Sequence, residues 1–222
     1  MRMPRWRRWT LLAAVASVAT SSAGEPGGEP ESAEHCHPAP VVTASPAAGP
    51  MSAAPARQRM AYAVPELRLT RADGKEVAIR RELEDARPVI LNFIFTTCTT
   101  ICPVMTQTLA KVQQRLGDAR DRVKMISVSI DPEHDTPERL RAYAAKHGAG
   151  SQWAFYTGTT EASVALQKAF DAYRGNKMNH APVTFVRPGP GQPWTRLEGL
   201  GNAEAILQEV QPALALSDRR GP

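Results

Sequence analysis

Strand-length and helix-length segments alternate from about residue 62 onward, and that alternation predicts an α/β fold: a central mixed β-sheet flanked by helices, behind a disordered N-terminal tether. Three observations carry the expectation. Residues 88–96 (PVILNFIFT) are apolar almost without interruption, as a strand buried on both faces has to be. The segments after it switch between short β-branched runs and longer stretches with helical spacing. Residues 24–60 have no apolar periodicity and carry prolines at 26, 30, 38, 40, 46, 50 and 55, so they cannot bury enough apolar surface to offset the entropy of ordering. The expected organisation is a signal peptide over 1–23, a Pro/Ala-rich linker over 24–60 and one domain over 61–217.

Within the domain, the Asp73-Gly74 pair is a turn signal, and residues 76–79 after it read as the second arm of a hairpin. After the buried strand, residues 103–116 place Val104, Leu109, Val112 and Leu116 at helical spacing, with Gly117 as a stop. Residues 123–130 (VKMISVSI) are the next central strand. Thr136 then stands as N-cap, with Pro137 at the first helical position, of a helix running to about His147 and Gly148. Residues 153–156 form a short strand and 160–170 a helix. Residues 182–186 and 194–197 flank a Pro- and Gly-rich turn and predict an antiparallel hairpin, and 203–216 a closing helix. A βαβ half followed by a ββα half is the thioredoxin-like arrangement.

The first residues indicate export. Arg2, Arg5, Arg7 and Arg8 precede an apolar run over 11–18 and the small residues Ser21, Ser22 and Ala23, the layout of a secretory signal with cleavage near Ala23. The apolar run is short for a membrane span, so membrane association requires an uncleaved N-terminal segment. The formal charge of +5 is largely targeting, since loss of those four arginines leaves 23 basic against 22 acidic residues. No clustered basic surface remains for nucleic acid. The expected location is periplasmic or otherwise exported, a compartment that permits disulfides.

Cys98 and Cys102 stand where the buried strand gives way to the first long helix pattern. Unpaired amides and the positive end of a helix dipole favour thiolates there, which suits redox chemistry or a soft metal. If the segment is helical, a spacing of four puts both sulfurs on one face about one turn apart, a wider bite than that of a dithiol oxidoreductase and suited to Cu(I). A merely stabilising disulfide closing so short a loop would constrain the unfolded chain little. A peroxidase reading requires a cation over the thiolate, and no basic residue lies near the motif in sequence. Asp131 and Asp135 read as Asx-turn and helix-capping residues, since carboxylates are hard ligands for Cu(I). His134 and His147 read as surface positions and Met178 as a packing residue. His35-Cys36-His37, in the tether, could capture copper or bridge to another chain.

Three pieces together resemble the Sco/SenC family, copper-binding thioredoxin-like proteins associated with assembly of the Cu(A) centre of cytochrome c oxidase. They are Cys98 to Cys102 followed by Pro103, the segment Asp131-Pro132-Glu133-His134-Asp135-Thr136-Pro137, and His180 just before a strand. The likeness covers roughly residues 62–214. This chain has Met178-Asn179-His180-Ala181-Pro182 where many members have an acid-His-Ser run. The resemblance implies that Cys98, Cys102 and His180 are copper ligands, with the two cysteines also a redox-active dithiol. It implies a copper chaperone rather than a turnover enzyme, with a cytochrome c oxidase subunit or another cuproprotein as partner and a thiol reductant to keep the pair reduced. The alternative is a thiol–disulfide oxidoreductase acting on client cysteines through Cys98 and Cys102; His180 separates the two, because a reductase needs only the dithiol.

Overall fold

The structure is a computed structural model and describes residues 56–219. Its frame is one eight-stranded sheet in the order β1-β8-β7-β4-β5-β6-β2-β3. The strands are β1 (Arg57–Met60), β2 (Arg68–Arg71), β3 (Glu76–Ala78), β4 (Val89–Ile94), β5 (Lys124–Ser129), β6 (Trp153–Thr157), β7 (Val183–Arg187) and β8 (Trp194–Glu198). The helices are α1 (Ile79–Leu83), α2 (Ile101–Leu116), α3 (Pro137–Lys146), α4 (Thr160–Ala169) and α5 (Ala203–Arg219). β4, β5 and β6 run parallel and every other pairing is antiparallel, so the sheet is mixed and thioredoxin-like as expected.

Parallel strands need crossover helices, and those helices cover both faces of the sheet. All six residues of β4 are buried, and their side chains divide by parity. Ile90 and Ile94 join Met125, Phe155 and the apolar faces of α2 and α5, while Val89, Leu91 and Phe93 join Ile126, Val128 and Phe185 beneath α1 and α4. On the α2 side Asn92 interrupts the apolar run. Its Oδ1 accepts from the Ser127 hydroxyl at 2.6 Å, and that hydroxyl accepts from Trp153 Nε1 at 2.9 Å.

The structure differs from the sequence expectation in three places. Residues 57–60, assigned to the linker, form β1, an edge strand in register with Trp194–Leu197 of β8. All four are exposed and lack apolar alternation, so pairing to β8 holds the strand, with side-chain bonds from Arg57 to Gln208 and Glu209 and from the Tyr62 hydroxyl to Met60 Sδ. Ile79, expected to end a strand, opens α1, because its side chain is fully buried and its N–H turns to the Leu67 carbonyl at 3.0 Å. α2 begins at Ile101, so Cys98 lies in the turn before the helix and the two cysteines do not share a helical face. The residues expected to form a signal peptide and most of the linker, with His35, Cys36 and His37, lie outside the described residues.

Phe170, at the end of α4, is fully buried among Tyr62, Phe93, Phe185 and Trp194, with ring centroids 4.8–6.3 Å apart. Its carbonyl accepts from Arg196 Nη1 at 3.0 Å. This cluster anchors the departure of the segment that leads to His180. Replacing Phe170 by Ala is expected to destabilise the domain by about 3–5 kcal/mol, and by Leu distinctly less. Urea unfolding followed by circular dichroism checks this; equal midpoints for the two variants would contradict it.

Candidate functional site

β4 and β5 are adjacent and parallel, so their C-terminal ends open side by side at one edge of the sheet, and the segment after each must turn. Asp135 closes that end. It is fully buried, and its carboxylate accepts from the Thr96 N–H and hydroxyl beyond β4 and from the Ser129 hydroxyl of β5 at 2.6 Å. Its role is therefore to bind the two strand ends together rather than to cap α3. Thr136 caps that helix as expected, accepting from the Arg139 N–H at 3.3 Å.

The turn held by Asp135 carries Cys98, whose N–H donates to the Phe95 carbonyl at 3.2 Å. Every helix begins with amide groups that lack intrahelical acceptors. In α2 the Thr100 side chain makes no capping bond and Pro103 has no N–H to offer. Cys98 Sγ supplies the acceptor, taking the Cys102 N–H at 3.4 Å, with the Thr100 hydroxyl 3.8 Å away.

The two sulfurs consequently differ. Burial pushes the Cys98 thiol up, but the Cys102 and Thr100 donors outweigh it and its pKa falls below the ordinary thiol value. Cys102 is fully enclosed, and burial, reinforced by the neighbouring Cys98, pushes its pKa up to about 12 against an opposing contribution from the Phe95 backbone. Both cysteines are free thiols.

His180 arrives from the far side. After α4 the chain turns through Asp171 at φ 49°, a left-handed conformation that an aspartate tolerates better than most residues, and runs to a 3-10 turn over Lys177–Asn179. Asn176 caps that turn by accepting the Met178 N–H at 2.9 Å. His180 follows, 8% exposed, with Nε2 3.1 Å from the Phe93 carbonyl oxygen. A carbonyl only accepts, so Nε2 carries the proton and the unshared pair lies on Nδ1. Burial lowers the His180 pKa and keeps the ring neutral, the Phe93 carbonyl acting in the opposite sense.

Cys98, Thr100, Phe95, Lys177, Met178 and His180 line one cavity of about 210 Å³. Cys102 is not on its wall. Among the described residues no group of three or more His, Cys, Asp or Glu side chains is spaced to hold a metal ion, so the fold brings Cys98 and His180 to a common cavity without converging the expected set of three. Chemically, the arrangement offers a thiol whose ionisation is favoured, a second thiol that holds its proton and a neutral imidazole. A set of two sulfurs and one imidazole suits soft and borderline metal ions.

Sequence reasoning missed Lys177. Its Nζ pairs with the buried Asp131 carboxylate at 2.6 Å and lies 5.9 Å from the Phe95 ring centroid, tying the loop after β5 to the turn before His180. A cation thus does stand at the cavity, although Asp131 already neutralises it. The alternation of Lys177 and Asp131 across 46 positions leaves no local pattern, so no sequence signal marks the pair. Of the remaining expectations, His134 is exposed, and His147 is partly covered by the Tyr143 ring at 4.5 Å. Met178 is 76% exposed, which overturns the packing role.

The SCO1/SenC family model matches residues 56–215, the span that runs from β1 into α5 and holds both arms of the site. The chain belongs to the SCO1/SenC family. It is 35% identical over 104 residues to the SCO1 protein homologue of Bacillus subtilis (strain 168), across 46% of this chain and 53% of that protein. It is 32% identical over 111 residues to a Stutzerimonas stutzeri protein named "Putative copper-binding protein", across 48% of this chain and 51% of that one. Each match spans about half the relative's length. Among solved structures, BsSco, described as a member of the Sco family of cytochrome c oxidase assembly proteins with a disulfide switch, superposes with a TM-score of 0.61 at 27% identity over 72% of this chain and 97% of that chain. A SCO1/SenC family lipoprotein from Bacillus anthracis str. Ames gives 0.62 at 24% identity over 71% and 98%, and supports the fold.

Two measurements test the site. Iodoacetamide labelling followed by peptide mapping is expected to show Cys98 reacting first, with an inflection below that of an ordinary thiol, while Cys102 stays protonated and unlabelled until far more alkaline pH. Equal rates would contradict the asymmetry. Replacement of Asp135 by Ala strands three donors and is expected to cost about 3 kcal/mol or more in chemical unfolding.

Proposed function

We propose that this chain is an exported copper-binding chaperone that takes up copper through Cys98, Cys102 and His180 and delivers it to the Cu(A) site of cytochrome c oxidase or to a related cuproprotein. The observation that carries the reading is a pair of free thiols at the start of α2, one of them sharing a cavity with a buried, neutral histidine. Two thiolates satisfy Cu(I), and an added imidazole makes the set acceptable to Cu(II) as well. Family membership, the copper-binding name of the Stutzerimonas relative and the oxidase-assembly description of BsSco support it.

The residues divide the work. Cys98 reaches the thiolate state readily and offers the first sulfur at the cavity. Cys102 holds its proton tightly, so engaging its sulfur releases a proton and makes uptake depend on pH. His180 contributes either through the free Nδ1 or by giving up its bond to Phe93. Residues 1–23 serve export and the segment behind them tethers the domain. Among the described residues no helix is long and apolar enough to cross a membrane.

The second reading is a thiol–disulfide oxidoreductase, favoured by the split in proton affinity between the two sulfurs. The Cys98 thiolate attacks a client disulfide and forms a mixed disulfide, expelling one client thiolate. Cys102 then loses its proton and attacks the Cys98 sulfur, expelling the second. The client gains two electrons and the chain is left as the Cys98–Cys102 disulfide, which a thiol reductant restores. The same disulfide abolishes metal binding, so copper handling and redox poise are linked in either reading.

Anaerobic titration of the reduced chain with Cu(I) and Cu(II), alongside His180→Ala and Cys98→Ser/Cys102→Ser, separates the readings. One tightly held copper that needs both cysteines, with Cu(II) binding weakened by loss of His180, is the expected outcome. Disulfide reduction without stoichiometric copper would transfer the function to the oxidoreductase.

A further inference from the structure

The cavity has one sulfur that neither reading uses. Met178 lies at the centre of the 3-10 turn, two residues before His180, and lines the cavity together with Cys98 and His180. Single exposed apolar residues are ordinary, so exposure alone decides nothing. Its position and its contrast with the core methionines do. Met105 and Met125 are 3% and 0% exposed and pack in the core; Met178 is 76% exposed on a turn fixed at several points. Asn176 accepts the Met178 N–H, the His180 N–H bonds back to the Lys177 carbonyl at 3.1 Å, and Lys177 is held by Asp131. The backbone is therefore pinned while the thioether side chain, with three rotatable bonds, keeps its freedom at the cavity wall.

A thioether is neutral and soft. It ligates Cu(I) without losing a proton and has little affinity for Cu(II), whereas an imidazole serves both. The cavity wall carries one cysteine sulfur, from Cys98, and the His180 imidazole, while Cys102 is not on it, so a further soft donor at that wall has a place in the first capture of Cu(I). We propose that Met178 is a Cu(I)-selective ligand of this site: its thioether joins the cysteine sulfurs around Cu(I) and yields to His180 when the ion is Cu(II). The proposal rests on the copper reading above and adds to it a fourth donor with a single oxidation-state preference.

The test uses the full chain, reduced and kept anaerobic. Competition with a Cu(I) chelator is expected to show about a tenfold or greater loss of Cu(I) affinity in Met178→Leu, close to 1.4 kcal/mol, with the Cu(II) affinity and electronic spectrum unchanged. His180→Ala is expected to weaken Cu(II) more than Cu(I). Independently, X-ray absorption at the copper edge of selenomethionine-labelled, Cu(I)-loaded chain should contain copper–selenium scattering that disappears in Met178→Leu. Unchanged Cu(I) affinity in Met178→Leu without copper–selenium scattering, or scattering that persists in that variant, overturns the role of Met178 while leaving the cysteine and histidine site intact. Failure of the unsubstituted chain to bind Cu(I) overturns both proposals together.

Discussion

The site depends on a carboxylate that touches no reactive atom. Two parallel strands that end side by side leave unpaired groups and diverging chains at their C-terminal edge, and Asp135 gathers these ends by accepting from Thr96 and Ser129. The Thr96 bonds fix the first residues after β4, and that fixed departure puts Cys98 Sγ where the Cys102 N–H can reach it. A buried carboxylate is costly to desolvate, and here hydrogen bonds from both strand ends offset the cost. The same loop carries Asp131, which holds Lys177 across the cavity from the cysteine turn. One acidic segment thus positions both arms of the site, the first through hydrogen bonds and the second through an ion pair.

The chemical difference between the sulfurs is a consequence of where the helix starts. Had α2 begun at Cys98, both sulfurs would lie on one face with similar surroundings. Because it begins at Ile101, Cys98 takes the place of a capping residue and its charge is stabilised by a donor, whereas Cys102 enters the first turn and is enclosed by the α2 side of the core. Two thiols so close in sequence therefore hold their protons very differently. An equivalent pair on an exposed helix face would lack both the ready nucleophile and the reluctant partner.

The sequence made the scaffold legible wherever burial imposed a period. The uninterrupted run of β4, the helical spacing of Leu109, Val112 and Leu116, and the Thr136-Pro137 start of α3 all declare themselves locally. β1 did not, because RQRM is an exposed edge whose stability comes from β8. α1 did not, because five residues are too few to express a helical period. At the site, residue type and family likeness mark Cys98, Cys102 and His180 as candidates, of which Cys98 and His180 share the cavity, whereas nothing local marks the Lys177–Asp131 pair or the Asp135 tie. Those interactions join positions far apart in the chain, and no spacing rule connects them.

The two arms of the site are held by different contacts of one acidic loop, and this separates the properties they control. The cysteine arm is set by β4, α2 and Asp135; the histidine arm hangs between the Phe170 cluster and β7 and is pinned by Lys177. On the proposed copper reading, a change in the second arm would alter which nitrogen or sulfur is offered at the cavity, so preference for one copper oxidation state would shift while the soft, thiol-based part of the affinity stays fixed. On the same reading, oxidation of the cysteines would remove both sulfurs and leave the His180 imidazole and the Met178 thioether, a weak trap for Cu(I). On the proposed copper reading, ligand exchange with a client would need only one arm to let go at a time, so that an ion held by several donors would leave through a sequence of partial detachments rather than a single costly one.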